Sequence, residues 1–339
     1  MPTSLVTGGA GFMGSHVAEN LLRMGHKVVV LDDLSGGFRE NVPGGAEFVQ
    51  GTIMDHEMVN RLFDTHSFDY VYHLAAYAAE GLSHFIKRFN YNNNLIGSIN
   101  LINASLNHEV KCFVFTSSIA VYGSGQSPMS EEMIPVPEDP YGIAKLAIEQ
   151  DLHVNHEMFG MDSIVFRPHN VYGERQNIGD RYRNAVGIFM NQLLHGEPMT
   201  IFGDGTQKRA FTHIDDVAPI IAKSVNYSTA KNQVFNVGAD TPYTINELAH
   251  EVADAMGVPN NVVHLDARNE VKIAFSDHGK AERVFGKQQK KTLRDGIRSM
   301  TDWVKNHGAR ESSIFEGIEV PRNMPPSWAR VLKTQVRPR

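Results

Sequence analysis

The stretch that decides the fold is Thr7-Gly8-Gly9-Ala10-Gly11-Phe12-Met13-Gly14. Its glycines at 8, 11 and 14 lie directly after the strand-like Leu5-Val6 and before a segment of helical period from Val17 to Met24. Glycine permits a tight turn and a close approach of the backbone to a ligand, and the helix N-terminus adds N–H donors and a positive end. Because the pattern lies between a strand and a helix, it predicts a site for a pyrophosphate.

An acidic pair ends the second predicted strand, Val28–Leu31. Asp32 and Asp33 lie about 20 residues beyond the glycines, where a carboxylate can accept hydrogen bonds from the ribose hydroxyls of a dinucleotide. Such a carboxylate repels a 2′-phosphate, and no adjacent Arg or Lys offsets the repulsion. The predicted cofactor is therefore NAD and not NADP.

The first half of the chain alternates apolar runs with segments of helical period. Further strands are predicted at Glu47–Val49, Tyr70–Leu74 and Phe113–Phe115, and helices at Met58–Phe63 and Asn93–Asn107. Strands that alternate with helices indicate a parallel sheet covered on both faces. The predicted fold class is α/β, with a Rossmann-type doubly wound parallel sheet and a smaller C-terminal α/β substrate-binding domain.

The order of elements becomes irregular after about residue 170. Helices are predicted at Ala185–Leu194 and Ile245–Met256, a turn at Gly203–Thr206, and a strand at Phe235–Val237 that returns to the sheet. The boundaries that follow are an NAD-binding domain of residues 1–170, to which residues 211–238 return, a substrate-binding domain of residues 171–210 and 239–306, and a tail of residues 307–339. That tail, with Pro325-Pro326 and weak periodicity, is interpreted as a surface wrap or a frayed end.

Composition excludes several classes of partner. The 339 residues are 42% hydrophobic and 21% charged, with a net charge of −6 and no basic stripe, so a nucleic-acid partner is not expected. No apolar run is long enough to cross a membrane, and the first residues lack a basic leader. The single cysteine, Cys112, is interpreted as a buried thiol, and His153 and His156 as surface residues and not metal ligands. We expect a cytoplasmic protein without a metal site.

The candidate catalytic residues are Ser118, Tyr141 and Lys145. Tyr141 and Lys145 are four residues apart on one predicted helix, which follows a strand that ends in Thr116-Ser117-Ser118. The carboxyl ends of parallel strands are where such sheets bind ligands. A neighbouring ammonium group and the positive nicotinamide ring both favour the phenolate, so Tyr141 is predicted to act as a base, with Ser118 bridging it to the reacting hydroxyl.

Together these motifs resemble the extended short-chain dehydrogenase/reductases, in the NAD-dependent epimerase/dehydratase family, and within it the pattern is most similar to the UDP-glucose 4-epimerase group. The resemblance runs from about residue 3 to residue 305. It implies a nucleotide-sugar epimerase in which Tyr141 takes the proton of the sugar 4-hydroxyl while hydride passes to NAD, and the 4-keto sugar then rotates and is reduced on its other face. Lys145 would hold the nicotinamide ribose.

The resemblance also implies a set of binding residues. Those expected at the cofactor are Gly8, Gly11, Phe12, Met13, Gly14, Asp32, Asp33, Thr52, Ile53, Leu74, Ala75, Ala76, Asn94, Thr116, Tyr141, Lys145 and Pro168. Those expected at the substrate are Glu80, Ser118, Asn170, Asn184, Val186, Arg209 and Arg268. Arg209 and Arg268 correspond to the arginines that bind the diphosphate, although the spacing of Arg268 is one residue short. The guanidinium fork suits phosphate because it donates two charged hydrogen bonds.

Some positions depart from the family pattern. Thr52 replaces an acidic residue that contacts adenine, and Ala78 replaces the lysine of typical galactose epimerases. Glu80 either contacts the sugar or caps the next segment. Ile119 and Ala120 follow Ser118, where dehydratases, decarboxylases and 3,5-epimerases carry an acid or a cysteine. These two residues favour simple removal and return of hydride.

The predicted substrate is UDP-glucose or UDP-galactose, or an N-acetyl or uronic relative. Ala274 corresponds to a position beside the sugar 2-substituent, where a small side chain leaves room for an N-acetyl group. The alternatives are another nucleotide-sugar enzyme of the same superfamily (a GDP-mannose 3,5-epimerase-like enzyme, a dehydratase or a decarboxylase) and a non-enzymatic NAD-sensing protein. The helices at Asn93–Asn107 and after Tyr141 either pack on the sheet or form the interface of a homodimer.

Overall fold

The computed structural model describes residues 1–124, 127–267, 271–312 and 315–329. The strands are β1 (Thr3–Thr7), β2 (Lys27–Asp32), β3 (Glu47–Gln50), β4 (Tyr70–His73), β5 (Cys112–Thr116), β6 (Asp162–Pro168), β7 (Val171–Tyr172), β8 (Met199–Phe202), β9 (Lys208–Ala210), β10 (Thr212–His213), β11 (Gln233–Val237), β12 (Pro242–Thr244), β13 (Val262–Leu265) and β14 (Ile273–Ala274). The helices are α1 (Phe12–Arg23), α2 (His56–Thr65), α3 (Glu80–Ser83), α4 (Lys87–Asn90), α5 (Gly97–Asn107), α6 (Pro140–Phe159), α7 (Ala185–Leu194), α8 (Ala218–Lys223), α9 (Ile245–Met256), α10 (Gly279–Phe285) and α11 (Leu293–His307).

Seven strands form one parallel sheet in the order β11-β6-β5-β4-β1-β2-β3. The middle strands are buried along their length, as expected when helices cover both faces. The predicted α/β class and doubly wound sheet are confirmed, as is the returning strand at Phe235–Val237, which pairs with β6. Because the strand order reverses between β1 and β4, the loops that leave these two strands open a crevice at the carboxyl edge.

Helix α6 carries the predicted catalytic pair. It begins at Pro140, whose fixed φ suits a first helical position, and the N-cap Asp139 accepts a hydrogen bond from the Gly142 amide at 2.9 Å. It ends at Gly160, which has a left-handed φ of +75°. Because both ends of α6 are capped, its first turn, which carries Tyr141, has a fixed position at the carboxyl edge of the sheet.

The helix predicted at Asn93–Asn107 differs from the observed one. The structure has a π-helical segment at Tyr91–Ile96, followed by α5. Within that segment Asn94 hydrogen-bonds through its side chain to the backbone of Tyr77 and to Asn90. The widened turn accommodates these hydrogen bonds, and π-helical turns are frequent at functional sites.

A second core lies beyond the large sheet. Helices α7, α9 and α11 bury Met190, Leu248, Val252, Ile297 and Met300 between them, beside the small parallel pair β8–β13. The bounds of α7 and α9 match the predicted helices. A separate three-stranded sheet has the order β12-β9-β14, and β12 leads directly into α9.

The tail after α11 turns back onto the body of the protein. In its described part, Met324 and Trp328 are buried among side chains of α3 and of the loop before α7. The tail was interpreted as either a surface wrap or a frayed end, and this described part packs against the protein as a wrap does. The hydrophobic contacts are made with residues distant in sequence, which is why local periodicity did not reveal them.

Two expectations about single residues can be compared with the structure. Burial raises the pKa of the Cys112 thiol to about 12, as for a thiol packed in the core. His156 donates a hydrogen bond from Nδ1 to the carbonyl oxygen of Met161 at 3.3 Å, and its Nε2 accepts one from Asn232 at 3.2 Å. Within the described ranges no three His, Cys, Asp or Glu side chains are grouped to hold a metal ion, and no helix has the length and apolar character needed to cross a bilayer.

A buried ion pair links β6 to α6 and gives a test of burial. The guanidinium of Arg167 binds Glu149 through both Nε (3.0 Å) and Nη2, and both side chains are about 5% exposed. We expect Arg167→Met to lower the free energy of unfolding by about 3–5 kcal/mol, because it leaves a buried carboxylate without its partner. Urea unfolding of the purified variant measures the loss.

The matched control is Arg294→Met. Arg294 binds Glu251 with the same two-pronged geometry, at 3.0 and 3.1 Å, but its side chain is 52% exposed. Only a small part of the Arg167→Met loss is expected here, because solvent screens exposed pairs. Equal losses in the two variants would contradict the role given to burial.

Candidate active site

The glycine turn brings backbone against backbone. A Cβ at position 14 would lie 2.1 Å from the carbonyl oxygen of Gly8, and Gly8 itself has a φ of +70°. Helix α1 starts directly after the turn, and its N-cap, Gly11, makes no side-chain cap. Phe12 and Met13 form the first turn and are half-buried. The result is a shallow cradle of backbone at a helix N-terminus, which suits a diphosphate.

Asp32 lies beside this cradle. Its carboxylate accepts hydrogen bonds from the amides of Ala10 (3.0 Å) and Leu34 (2.8 Å), which fix its orientation toward the glycine turn. Burial raises the pKa of Asp32, and the backbone hydrogen bonds oppose that shift. Asp33 is exposed and accepts from the Ser35 amide at 2.9 Å. Of the two predicted ribose ligands, Asp32 is therefore the one adjacent to the cradle.

The other predicted cofactor residues follow the neighbouring strands. Thr52 and Ile53 come after β3, and Ile53 is buried against Gly97. Leu74, Ala75 and Ala76 follow β4, where the Ala75 amide donates to the Thr7 hydroxyl at 3.3 Å. Asn94 lies beneath this loop and holds its backbone. Its Oδ1 accepts from the Tyr77 amide at 2.8 Å and its Nδ2 donates to the Tyr77 carbonyl at 3.1 Å.

Ser118, Tyr141 and Lys145 come together beyond the carboxyl end of β5. Tyr141 is buried and hydrogen-bonded to Ser118. Burial raises the pKa of Tyr141, while the Ser118 hydrogen bond lowers it. The Lys145 ammonium donates to the Thr116 carbonyl at 2.8 Å and lies 5.7 Å from the Tyr141 ring centre. Burial lowers the pKa of Lys145 to about 7, against the opposing charge of Glu149.

The other predicted substrate residues follow β6, cap α7 and begin α3. Asn170, with a φ of +41°, donates to the Ala210 carbonyl at 3.2 Å, next to Arg209 on β9. Asn184 caps α7, because its Oδ1 accepts from the Val186 amide at 3.0 Å. Glu80 opens α3, and its charge is close enough to Tyr141 to raise the tyrosine pKa.

Two of the predicted substrate residues need separate comment. The Val186 side chain is fully buried in the core of the smaller part, and its amide is bonded to Asn184, so the structure does not bring Val186 to the crevice. Its apolar side chain is stabilised by packing with Phe189 and Met190 on the same helix. Arg268 lies outside the described residues.

Residues that the sequence did not single out also contribute. The guanidinium of Arg183 lies 4.7 Å from the Tyr77 ring centre and pairs with Asp180 at 2.9 Å, and its positive charge lowers the pKa of Tyr141. Glu149 binds Arg167 and Ser117 behind Lys145. The sequence held one usable signal for Glu149, its spacing of four residues from Lys145, which places both on one helix face.

The model of the NAD dependent epimerase/dehydratase family matches residues 4–238. The chain belongs to this family. The resemblance inferred from the motifs is thereby confirmed.

The alignments with three named relatives span nearly the whole length of those proteins. A UDP-glucose 4-epimerase from Mycolicibacterium smegmatis is 33% identical over 311 residues, which span 89% of this chain and 98% of that protein. The structure of a UDP-glucose 4-epimerase from Thermotoga maritima with UDP-glucose has a TM-score of 0.86 at 35% identity and covers 90% of this chain and 99% of its own. A UDP-glucuronic acid 4-epimerase from Bacillus cereus in complex with UDP-glucuronic acid and NAD has a TM-score of 0.82 at 29% identity, with 90% and 99% coverage.

Membership of an NAD dependent family confirms the predicted cofactor. The residues of this chain fit NAD on two independent observations. Gly8 and Gly14 pack backbone against backbone, which leaves no room for a Cβ at position 14 and forms the tight turn that a diphosphate needs before a helix N-terminus. The buried Thr116 hydroxyl beside Lys145 has no hydrogen-bond partner within the part of the chain described, which is the pattern left by a polar group that a ligand satisfies.

The cradle yields a direct test. We expect Gly14→Ala to reduce the NAD released by the denatured, purified protein at least about tenfold, since the new Cβ displaces the turn that binds the diphosphate. Gly44→Ala is the control, because a Cβ there meets no atom within 4 Å. Full NAD content in Gly14→Ala would contradict the assignment of the cradle.

Proposed function

We propose that the protein is a UDP-sugar 4-epimerase. The observation that carries the proposal is the grouping of Ser118, Tyr141 and Lys145 beside the glycine cradle, with Ile119 and Ala120 directly after Ser118. Neither of these two side chains can donate or accept a proton, as elimination of water next to Ser118 would require. The names and bound ligands of the relatives support the same reaction.

The proposed roles follow from charge and reach. Tyr141 takes the proton of the sugar 4-hydroxyl, and Ser118, hydrogen-bonded to Tyr141, relays it or orients the hydroxyl. When bound, NAD would accept the hydride from C4 and later return it. We assign stabilisation of the phenolate to Lys145, whose amino group lies 5.7 Å from the Tyr141 ring centre. Rotation of the 4-keto sugar between the two hydride steps inverts C4.

We place the nucleotide diphosphate near Asn170 and Arg209. Arg209 lies on β9, in register with Tyr243 of β12 and Ala274 of β14. The guanidinium of an arginine suits a diphosphate because it donates charged, two-pronged hydrogen bonds. Arg268 is retained as the second diphosphate ligand on the sequence resemblance alone, and Asn184 as a contact on the same side.

Ala274 is the residue that we assign to sugar selectivity. It is paired with Arg209 and packs with Val121 and Tyr122, the residues of the short helix that begins after Ser118. Its small side chain is consistent with room for an N-acetyl group at the sugar 2-position. We therefore include N-acetylated UDP-sugars, with glucose, galactose and uronic forms, among the proposed substrates.

One observation favours a second candidate, an epimerase of the 3,5 type. Glu80 brings a carboxylate near Tyr141, where it could move a proton at a neighbouring carbon. The sequence around it, Tyr77–Gly81, departs from that of galactose epimerases. A proton taken from carbon exchanges with solvent, whereas hydride returned from NAD does not, so the two candidates differ in isotope uptake.

We further propose that residues 1–170 with 211–238 bind NAD, that residues 171–210 and 239–306 bind the nucleotide sugar, and that the protein is a cytoplasmic homodimer. Apolar side chains on α6 support the dimer, since Ile143, Val154 and Met158 are 43%, 59% and 73% exposed. Such an exposed apolar row is typical of a surface that another chain covers.

The reaction is tested by isotope uptake. The purified protein, with no cofactor added, is incubated in deuterated water with UDP-glucose, UDP-galactose, their N-acetyl and uronic forms and GDP-mannose, and NMR follows the sugar. We expect a C4 epimer without deuterium, because hydride returns directly from bound NAD. Deuterium at C3 or C5 would establish the second candidate, and loss of water or carbon dioxide would overturn both.

The role of Tyr141 is tested by Tyr141→Phe. Removing the general base should lower kcat by roughly 10²–10⁴-fold while the NAD content stays that of the unaltered protein. Tyr227→Phe, at a ring that packs on Phe285 away from the crevice, should leave kcat unchanged. Retention of most of the activity in Tyr141→Phe would show that another group takes the proton.

A further inference from the structure

The chain after α11 forms a C-terminal strap, by which we mean residues 309–329 as far as they are described. Its start is fixed between α7 and the segment that follows Asp32. The Asn191 side chain hydrogen-bonds both the amide and the carbonyl of Arg310, each at 2.9 Å. The Arg310 guanidinium lies 3.7 Å from the Phe38 ring centre and bonds Glu40 at 3.1 Å.

The middle of the strap is bonded to the region of α3 and α4. The Glu319 carboxylate accepts hydrogen bonds from the amides of Arg88 (2.8 Å) and Phe89 (2.9 Å). In return, the amides of Glu319 and Val320 donate to the Phe85 carbonyl at 2.8 and 3.1 Å. Four hydrogen bonds of this kind fix the strap in one register along residues 85–89.

Aromatic side chains complete the attachment. Phe315 lies between Tyr77 (ring centres 5.4 Å apart) and Phe89 (4.9 Å). Trp328 is 7% exposed and meets Tyr182 edge-on at 5.2 Å, with Phe202 at 6.3 Å. The strap therefore joins two segments that are about 100 residues apart in sequence. We call them the 77–89 segment and the 180–183 segment.

Both segments contribute groups that act on the reacting tyrosine. Glu80 of the 77–89 segment raises the pKa of Tyr141, and Arg183 of the 180–183 segment lowers it. Ser83 accepts a hydrogen bond from the Tyr141 amide at 3.3 Å. The strap thus packs against the two segments that flank Tyr141, whereas Tyr141 and Lys145 themselves belong to α6 and Ser118 follows β5.

The alignments with the relatives named above cover 98–99% of the length of those proteins but only 89–90% of this chain. About a tenth of this chain therefore lies outside those alignments.

We propose that the C-terminal strap is a positioning element of the sugar site, with Trp328 as its anchor. This inference rests on the proposed epimerase function, which it deepens. By fixing the 77–89 and 180–183 segments in advance, the strap spares the substrate the entropic cost of ordering them. Affinity for the nucleotide sugar, and discrimination among sugars, then depend on the strap, whereas the chemical step does not.

Trp328→Ala tests the proposal, with Trp303→Ala as its matched control. Trp303 is the other tryptophan of the chain and stacks on His307 of α11 at 4.3 Å. For the sugar identified by the NMR panel, Trp328→Ala should raise KM about tenfold or more, with kcat within about threefold and NAD content unchanged. Trp303→Ala should leave both constants near their original values.

Loss of folded protein would lower kcat without changing KM, so the split between the two constants separates positioning from stability. Trp328→Phe keeps an aromatic ring at the anchor and should restore most of the affinity. An unchanged KM in Trp328→Ala, or an equal rise in Trp303→Ala, would overturn the proposal.

Hydrogen exchange gives a second measurement that needs no turnover. In Trp328→Ala the amides of both the 77–89 and 180–183 segments should exchange faster, while those of α6 keep their protection. Unchanged exchange in the two segments would overturn the strap's role whatever the substrate. If exchange rises but no sugar of the panel is epimerised, the strap still fixes the two segments but the proposed epimerase function is wrong. The failure of one proposal can therefore be distinguished from the failure of the other.

Discussion

The rest of the site depends on one buried carboxylate. Glu149 accepts hydrogen bonds from Arg167 on β6 and from Ser117 at the end of β5, and it lies one helical turn beyond Lys145 on α6. Glu149 thereby connects α6 with β6 and with the residue that follows β5. A charge can remain buried only when its partners are fixed, so this pair constrains the distance between α6 and the sheet.

That constraint makes the electrostatics of the site possible. Lys145 and Tyr141 are both buried, and burial disfavours the charged form of each. The same low-polarity surroundings strengthen every remaining charge interaction, including that of Glu149 with Lys145. A positive nicotinamide ring added beside them favours the phenolate further. The base therefore depends on its partners being placed before the substrate arrives.

The 77–89 and 180–183 segments flank Tyr141 from outside the large sheet. Their packing partners differ from those of Ser118, Tyr141 and Lys145. Phe315 and Trp328 pack against the segments that contain Glu80 and Arg183 and so connect the two segments. The molecule thus separates Ser118, Tyr141 and Lys145, which belong to α6 and the end of β5, from a rim whose side chains pack against Phe315 and Trp328.

Local patterns in the sequence determined the fold class, the cofactor and the bounds of several helices. The glycines of residues 8–14, the acidic strand end at Asp32 and the apolar stripes of α7 and α9 act over a few residues, so spacing alone reveals them. The same holds for the spacing of Tyr141 and Lys145 on one helix face.

Tertiary structure alone decided which side chains share a space. It buried Val186 in the smaller core, brought Arg183 to Tyr77, and seated Trp328 against Tyr182, a contact between residues nearly 150 positions apart. Sequence periodicity carries no signal for such pairs, because chain folding and not local conformation sets their distance. Ser118, Tyr141 and Lys145 could therefore be predicted from the sequence, whereas the contacts of Arg183 and Trp328 could not.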